Sequence, residues 1–163
     1  MKVQNTDKVL SLENLIRERM DWKAQGKSLV WTNGCVDVVH VGYVHLLHEA
    51  SKLGDVLVVG LNSDASVRHL KGDGRPRYGF RDRAKVLSAI AVVDHIIELD
   101  DDLPCSAIEL LKPEVCCKGS DYAPPNGKPI PEASVISSYG GCLHYVQLLE
   151  GYSTSSILEQ NNL

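Results

Sequence analysis

The chain predicts an α/β fold: a single Rossmann-like three-layer α/β/α domain over residues 1–163, built on a five-stranded parallel sheet. Three observations predict it. Short Val/Ile/Leu-rich runs alternate with helical patterns along the whole length. The run Val56-Leu57-Val58-Val59 is apolar at every position, as a parallel strand buried on both faces requires. No linker, repeat or low-complexity stretch divides the 163 residues, a length suited to one core.

Each element has its own reason. Residues 11–25 pattern as an amphipathic helix, with Leu12, Leu15, Ile16 and Met20 on one face and Arg17, Glu18 and Lys23 on the other; Gly26 stops it. This N-terminal helical segment, residues 1–27, is expected to pack on the domain. A β-prone run from Ser28 to Thr32 makes the first strand, and residues 42–53 the next helix, closed by Gly54. Residues 55–61 form the second strand. Asn62-Ser63-Asp64 then offers an N-cap for a short helix over residues 65–70. The polar loop Lys71-Gly72-Asp73-Gly74-Arg75-Pro76-Arg77 precedes a helix over residues 81–91. His95 to Leu99 is a strand. Pro104 opens a helix with Ile108, Leu110 and Leu111 on its apolar face, ending before Pro113. Residues 114–117 form a strand, a Pro-rich loop spans residues 122–131, and residues 133–138 are helical. Gly140-Gly141 leads to the last strand, residues 142–148. A final helix starts near Ser153 and carries Ile157 and Leu158. Parallel strands joined by helices imply right-handed crossovers.

Composition narrows the function. A net charge of −4 gives no global basic field for nucleic acid or an anionic membrane surface. No apolar run approaches the roughly 20 residues of a membrane span, and Met1 to Asn5 lacks a signal-peptide core. A cytoplasmic location is expected. The five cysteines are an odd, irregular set without a Cys-x-x-Cys pair, which suits reduced thiols and does not suggest zinc.

Ligands of such folds bind at the carboxyl ends of the strands. Four strand ends finish here in small, polar or charged residues: Asn33, Gly34 and His40; Asn62, Ser63 and Asp64; Lys118, Gly119, Ser120, Asp121 and Tyr122; and Glu150 to Ser155. The stretch Thr32-Asn33-Gly34-Cys35-Val36-Asp37 leads to His40-Val41-Gly42-Tyr43 and then into a helix. A helix start offers unpaired N–H groups and partial positive charge to a phosphate, and a glycine lets the backbone approach it. His40 adds a donor that turns cationic near neutral pH. An ordinary strand-to-helix connection with a capping histidine explains the same residues. Ser153, Thr154 and Ser155 suit phosphate oxygens or a simple N-cap; Lys118 suits a phosphate contact or a side chain snorkelling to water.

The glycine turn and His40-Val41-Gly42-Tyr43 resemble the signature of the cytidylyltransferase-like nucleotidyltransferases, which is His-x-Gly-His; Tyr43 stands at the second histidine. Gly151-Tyr152-Ser153-Thr154-Ser155-Ser156-Ile157 is similar to that family's terminal Gly-x-Ser-Thr-Thr/Ser-x-Ile. Cys117-Lys118-Gly119-Ser120-Asp121-Tyr122 resembles the Val-Lys-Gly-Gly-Asp-Tyr run of its heptose 1-phosphate adenylyltransferases. Arg83 takes the place of a recurrent arginine before Ala84-Lys85-Val86-Leu87. Asn62 to Val67 and Lys71-Gly72 also look heptose-type, and Val146 to Leu149 lacks the arginine of the glycerol-phosphate cytidylyltransferases.

The resemblance implies adenylyl transfer from ATP to a sugar 1-phosphate, a heptose 1-phosphate, for a surface-glycan precursor. It implies Mg2+ bridging the nucleotide phosphates, with no metal ligands of the chain's own. His40, Tyr43 and Lys118 carry the catalytic part. The nucleotide set is Asn33, Gly34, Cys35, Val36, His40, Gly42, Tyr43, Asn62, Lys118, Asp121, Tyr152, Ser153, Thr154 and Ser155. Asp37, Lys71 and Arg83 meet the substrate or its phosphate. A homodimer and a separate sugar kinase fit this reading. Three alternatives stay open: a glycerol-phosphate-type cytidylyltransferase, a catalytically weakened nucleotide-binding module because of Tyr43, and a thiol protein using Cys116-Cys117.

Overall fold

The computed structural model describes residues 8–100, 104–152 and 157. Five parallel strands lie in the order β3-β2-β1-β4-β5: β1 Leu29–Gly34, β2 Val56–Asn62, β3 His95–Leu99, β4 Val115–Gly119 and β5 Cys142–Val146. The helices between them are α1 Leu12–Ala24, α2 Val41–Ser51, α3 Asp64–Lys71, α4 Phe80–Ser88, α5 Cys105–Leu111 and α6 Ala133–Ser138; a 3-10 turn spans Ser120–Tyr122. The expected class, strand number and direction are all present. The expected last helix lies outside the described residues apart from Ile157.

The period-2 alternation of β1 divides the core between two faces. Leu29 and Trp31 meet Leu15 and Trp22 of α1, Ala107, Ile108 and Leu111 of α5, and Ile136 of α6. Val30 points the other way, with Leu47 and Ala50 of α2 and Ala84 and Leu87 of α4. All seven residues of β2 are buried, which is the burial pattern that its unbroken apolar run predicts.

Two apolar residues fall on the other side of their helices. Met20 is 68% exposed, because the buried line of α1 runs through Leu15, Arg19 and Trp22. Arg19 takes that interior place by bonding Leu111 O at 2.9 Å, Lys112 O at 3.0 Å and Glu114 Oε1 at 2.7 Å. Glu114 Oε2 in turn accepts from Leu29 N at 2.7 Å. One buried cation thus ties α1, the end of α5 and the starts of β1 and β4. Leu110 is 57% exposed, since Ala107, Ile108 and Leu111 already fill the inner face of the short α5.

Gly60 sits where β2 passes beneath the Trp31 ring. A Cβ there would lie 2.5 Å from Trp31 Cζ2 and 2.7 Å from Leu99 Cδ1. Gly60→Ala should therefore destabilise the chain by about 1–3 kcal/mol through overpacking, read as a lower urea midpoint at unchanged slope. An unchanged midpoint would show that the ring and Leu99 move aside at no cost.

Candidate active site

A cleft of about 510 Å³ opens at the carboxyl ends of β1, β2 and β4. Its β1 wall is Thr32, Asn33, Gly34, Cys35, Val36 and Asp37, followed by His40 and Tyr43. Asn62 ends β2, and Lys71 and Arg75 come from beyond it; Lys118, Gly119, Asp121 and Tyr122 come from β4 and the turn after it; Glu132 from the N-cap of α6; and Tyr152 from beyond β5. The sheet thus gathers residues scattered over more than 100 positions of sequence.

His40 is the N-cap of α2. Its Nδ1 accepts from Tyr43 N at 3.3 Å, which leaves Nε2 as the N–H of the neutral ring. Burial lowers its pKa from the ordinary 6.5. The sequence expectation of a charge near neutrality is corrected for the free protein: His40 is a neutral donor there. Gly42 packs beside it, and a Cβ at Gly42 would lie 3.0 Å from Tyr152 Cβ and 3.1 Å from His40 Nδ1. His40 and Tyr43 bring the first turn of α2, the partial positive end of that helix, to the cleft.

Tyr43 departs from its expected part. Its ring lines the cleft, but its hydroxyl is buried and has no hydrogen-bond partner. Burial, with Cys35 adding to it, raises the phenol pKa. The ring packs against the α2–α4 core, so in this arrangement Tyr43 contributes apolar wall where a phosphate donor was expected.

Lys118 ends β4 with only 10% of its side chain exposed. Its ammonium donates to Asn33 Oδ1 at 3.0 Å, pairs with Glu132 and lies 5.7 Å from the centre of the Tyr122 ring. Trp31 Nε1 also donates to Asn33 Oδ1, at 3.2 Å, so the amide orientation of Asn33 is fixed. Asn62 donates to Ser66 Oγ at 2.9 Å and is buried. Asp121 pairs with Lys128 at the rim. Lys71 is exposed at the opposite rim.

Asp37 and Arg83 organise the wall. Asp37 is buried; it pairs with Arg75 and accepts from Arg77 N at 2.6 Å. It therefore folds the basic loop over the cleft, and its charge is already compensated. Arg83 is placed behind the cleft and not in it. It is 2% exposed and donates to Tyr78 O at 2.9 Å, Cys35 O at 2.6 Å and Asp64 Oδ1 at 2.7 Å. A guanidinium spent on three protein acceptors shapes the loop in place of the expected substrate contact. Between these anchors Val36 takes φ +44°, a strained value for a β-branched residue.

Asn33, Gly34, Cys35, Val36, Asp37, His40, Tyr43, Asn62, Lys71, Lys118, Asp121 and Tyr152 converge on the cleft, and Gly42 adjoins it. Ser153, Thr154 and Ser155 lie outside the described residues. Glu132, buried in the wall, was missed; the only signal for it is its position as the sole carboxylate between Tyr122 and Ala133. Burial pushes the Cys116 and Cys117 thiols up to about 12, which removes the thiolate that a thiol mechanism needs.

The cleft carboxylates Asp37, Asp121 and Glu132 are each paired with a cation, and no group of three His, Cys, Asp or Glu among the described residues could hold a metal. Among the same residues no helix is long and apolar enough to cross a membrane.

The family described as cytidylyltransferase-like matches residues 31–159. The chain is 48% identical over 138 residues to the bifunctional protein HldE of Geotalea uraniireducens, covering 85% of this chain and 28% of that protein. It is 43% identical over 163 residues to HldE of Geobacter metallireducens, covering 98% of this chain and 33% of that protein. It thus spans about a third of these relatives. The crystal structure of a lipopolysaccharide core biosynthesis protein from Thermoplasma volcanium superposes with a TM-score of 0.62 at 26% identity, over 78% of this chain and 100% of that one.

The lowered His40 pKa has a direct consequence. The folded value lies below the unfolded one, so the neutral ring stabilises the fold. That contribution is complete above pH 6.5 and is lost as pH falls through the folded pKa. An NMR titration, with His40 assigned by its loss in His40→Gln, should give a midpoint below 6.5. A midpoint above that value would contradict the neutral cap.

Proposed function

We propose that this chain, which belongs to the cytidylyltransferase-like family and is a nucleotidyltransferase, transfers the adenylyl group of ATP to a sugar 1-phosphate, a heptose 1-phosphate. The products are an ADP-sugar, a precursor for surface glycan such as lipopolysaccharide, and pyrophosphate. The observation that carries the reading is the convergence of His40, the α2 N-terminus and Lys118 on one cleft.

In this transfer a phosphate oxygen of the sugar attacks the α-phosphorus of ATP, and the bond to the pyrophosphate breaks. Little covalent chemistry falls to the protein, so positioning and charge neutralisation supply the rate. His40 Nε2–H and the start of α2 meet the phosphate oxygens, Lys71 adds positive charge at the rim, and Lys118 and Arg75, each paired with a buried carboxylate, act as placed donors. Asn33 and Gly34 give the nucleotide a close backbone approach. Tyr152 lines the cleft, and the family resemblance assigns Ser153 to Ser155 to the phosphates. Mg2+ would supply further charge neutralisation to the nucleotide, with no residue of this chain assigned to hold it.

The absence of an arginine in Val146 to Leu149 supports ATP over CTP. HldE relatives are named bifunctional and are about three times as long; we assign the chain the adenylyl-transfer half, with a separate sugar kinase supplying its substrate in the cytoplasm. A homodimer is compatible with this arrangement.

The test is pyrophosphate release over a panel of nucleotides and sugar phosphates. ATP with a heptose 1-phosphate should give the highest turnover, and His40→Ala should cut it roughly 100-fold or more, as loss of one transition-state donor does. Better turnover with CTP would move the chain to the glycerol-phosphate cytidylyltransferases. ATP binding with no pyrophosphate from any sugar phosphate would make it a nucleotide-binding module.

A further inference from the structure

We propose that Glu132 is a positioning residue for the transfer: it fixes the direction of the Lys118 ammonium and acts on the nucleotide phosphates through that lysine alone. The proposal rests on the nucleotide site described above.

The Lys118–Glu132 pair is buried, with 10% and 3% of the two side chains exposed. Such a pair is a poor stabilising device, because desolvation offsets most of its attraction and two apolar residues would pack as well. Its value lies in geometry. A lysine carries a point charge on a flexible four-carbon stem, and one hydrogen bond leaves that charge free to swing. Here the ammonium has fixed points from three elements: Asn33 Oδ1 at the end of β1, the Tyr122 ring in the turn after β4, and the Glu132 carboxylate just before α6.

Glu132 itself cannot follow the ammonium. It is 2% exposed, it follows Pro131, and its carbonyl accepts from Ile136 N at 3.0 Å. The loop before it is pinned to the turn by Lys128 N donating to Asp121 O at 2.9 Å. The other two cleft carboxylates are committed elsewhere, Asp37 to Arg75 and Asp121 to Lys128. Glu132 is thus a rigid anion that aims a mobile cation across the cleft mouth. A negative charge near bound triphosphate weakens binding if it acts by charge alone, so charge and aim predict different outcomes on its removal.

Two measurements on the full chain decide the matter. The first is the Cε methylene NMR dynamics of Lys118, assigned by its loss in Lys118→Met, in wild type and Glu132→Gln. Lys118 should be rigid in wild type and mobile in Glu132→Gln. A Lys118 that stays rigid overturns the proposal, whatever the turnover. The second is steady-state kinetics of wild type, Lys118→Met, Glu132→Gln and the double variant, with ATP and heptose 1-phosphate. Glu132→Gln should lower kcat roughly 10- to 100-fold, as misplacement of a phosphate contact does, without raising the KM for ATP. In the Lys118→Met background the same change should move kcat by less than about twofold. A wild-type kcat in Glu132→Gln, or an equal loss behind Lys118→Met, overturns the proposal. If Glu132→Gln does not fold, Glu132→Asp replaces it: it keeps the charge and shortens the reach, and the same outcomes apply. Wild-type protein with no turnover on any sugar phosphate defeats the functional reading alone, and the Lys118 dynamics still decide the role of Glu132.

Discussion

Everything in the cleft depends on the place of β1 between β2 and β4. The chain leaves β1 to build β2 and β3 on one side, then returns to build β4 and β5 on the other. Right-handed crossovers in opposite directions put α2 and α4 on one face and α5 and α6 on the opposite one. The connections after β1 and β4 therefore diverge, and they leave a crevice at the carboxyl end of the sheet. Asn33 at the end of β1 and Lys118 at the end of β4 face each other across it because their strands are neighbours. The chemistry follows from the strand order.

The walls of that crevice are held by buried charges. Arg83 ties the β1 loop carbonyl at Cys35 to Asp64 of α3, and Asp37 holds Arg75 and the backbone after it. Together they keep Val36 in a backbone conformation that a β-branched residue otherwise avoids. Breaking either would leave an uncompensated charge indoors, so the wall is stiff by construction. The chain as a whole is acidic at −4, and yet Lys71, Arg75 and Lys118 collect around one opening. Asp37, Asp121 and Glu132 stand in the same lining, so what the opening offers a phosphate is placed donors more than a net field.

Much of this was legible in the sequence, for identifiable reasons. The unbroken apolar run of β2 and the alternation of strands with helices fix a parallel sheet, and glycines and polar residues after each apolar run mark its ligand-bearing edge. Asn33, Gly34, His40, Asn62, Lys118, Asp121 and Tyr152 reach it on that logic, while Cys35, Val36, Asp37, Tyr43 and Lys71 were expected from the family resemblance. What escaped depends on contacts between distant segments. Arg19 and Met20 differ in polarity, but the line through Leu15 and Trp22 decides which is buried. Arg83 reads as an exposed basic residue at a helix start until Cys35 and Asp64 are seen beside it. The buried hydroxyl of Tyr43 depends on packing against another helix, and Glu132 acquires meaning only when the Pro-rich loop brings it to Lys118. Local pattern reveals where an edge is; it does not reveal which side chains turn inward.

The central claim is that nucleotide phosphates lie at this edge, between the start of α2 and the end of β4. Its most direct test is backbone amide NMR during titration with a non-hydrolysable ATP analogue. The largest shifts should fall at Gly34, at His40 to Tyr43 and at Lys118 to Gly119, with the amides of α1 and α5 unmoved. Shifts concentrated on α1 and α5, with the β1–α2 turn silent, would contradict it.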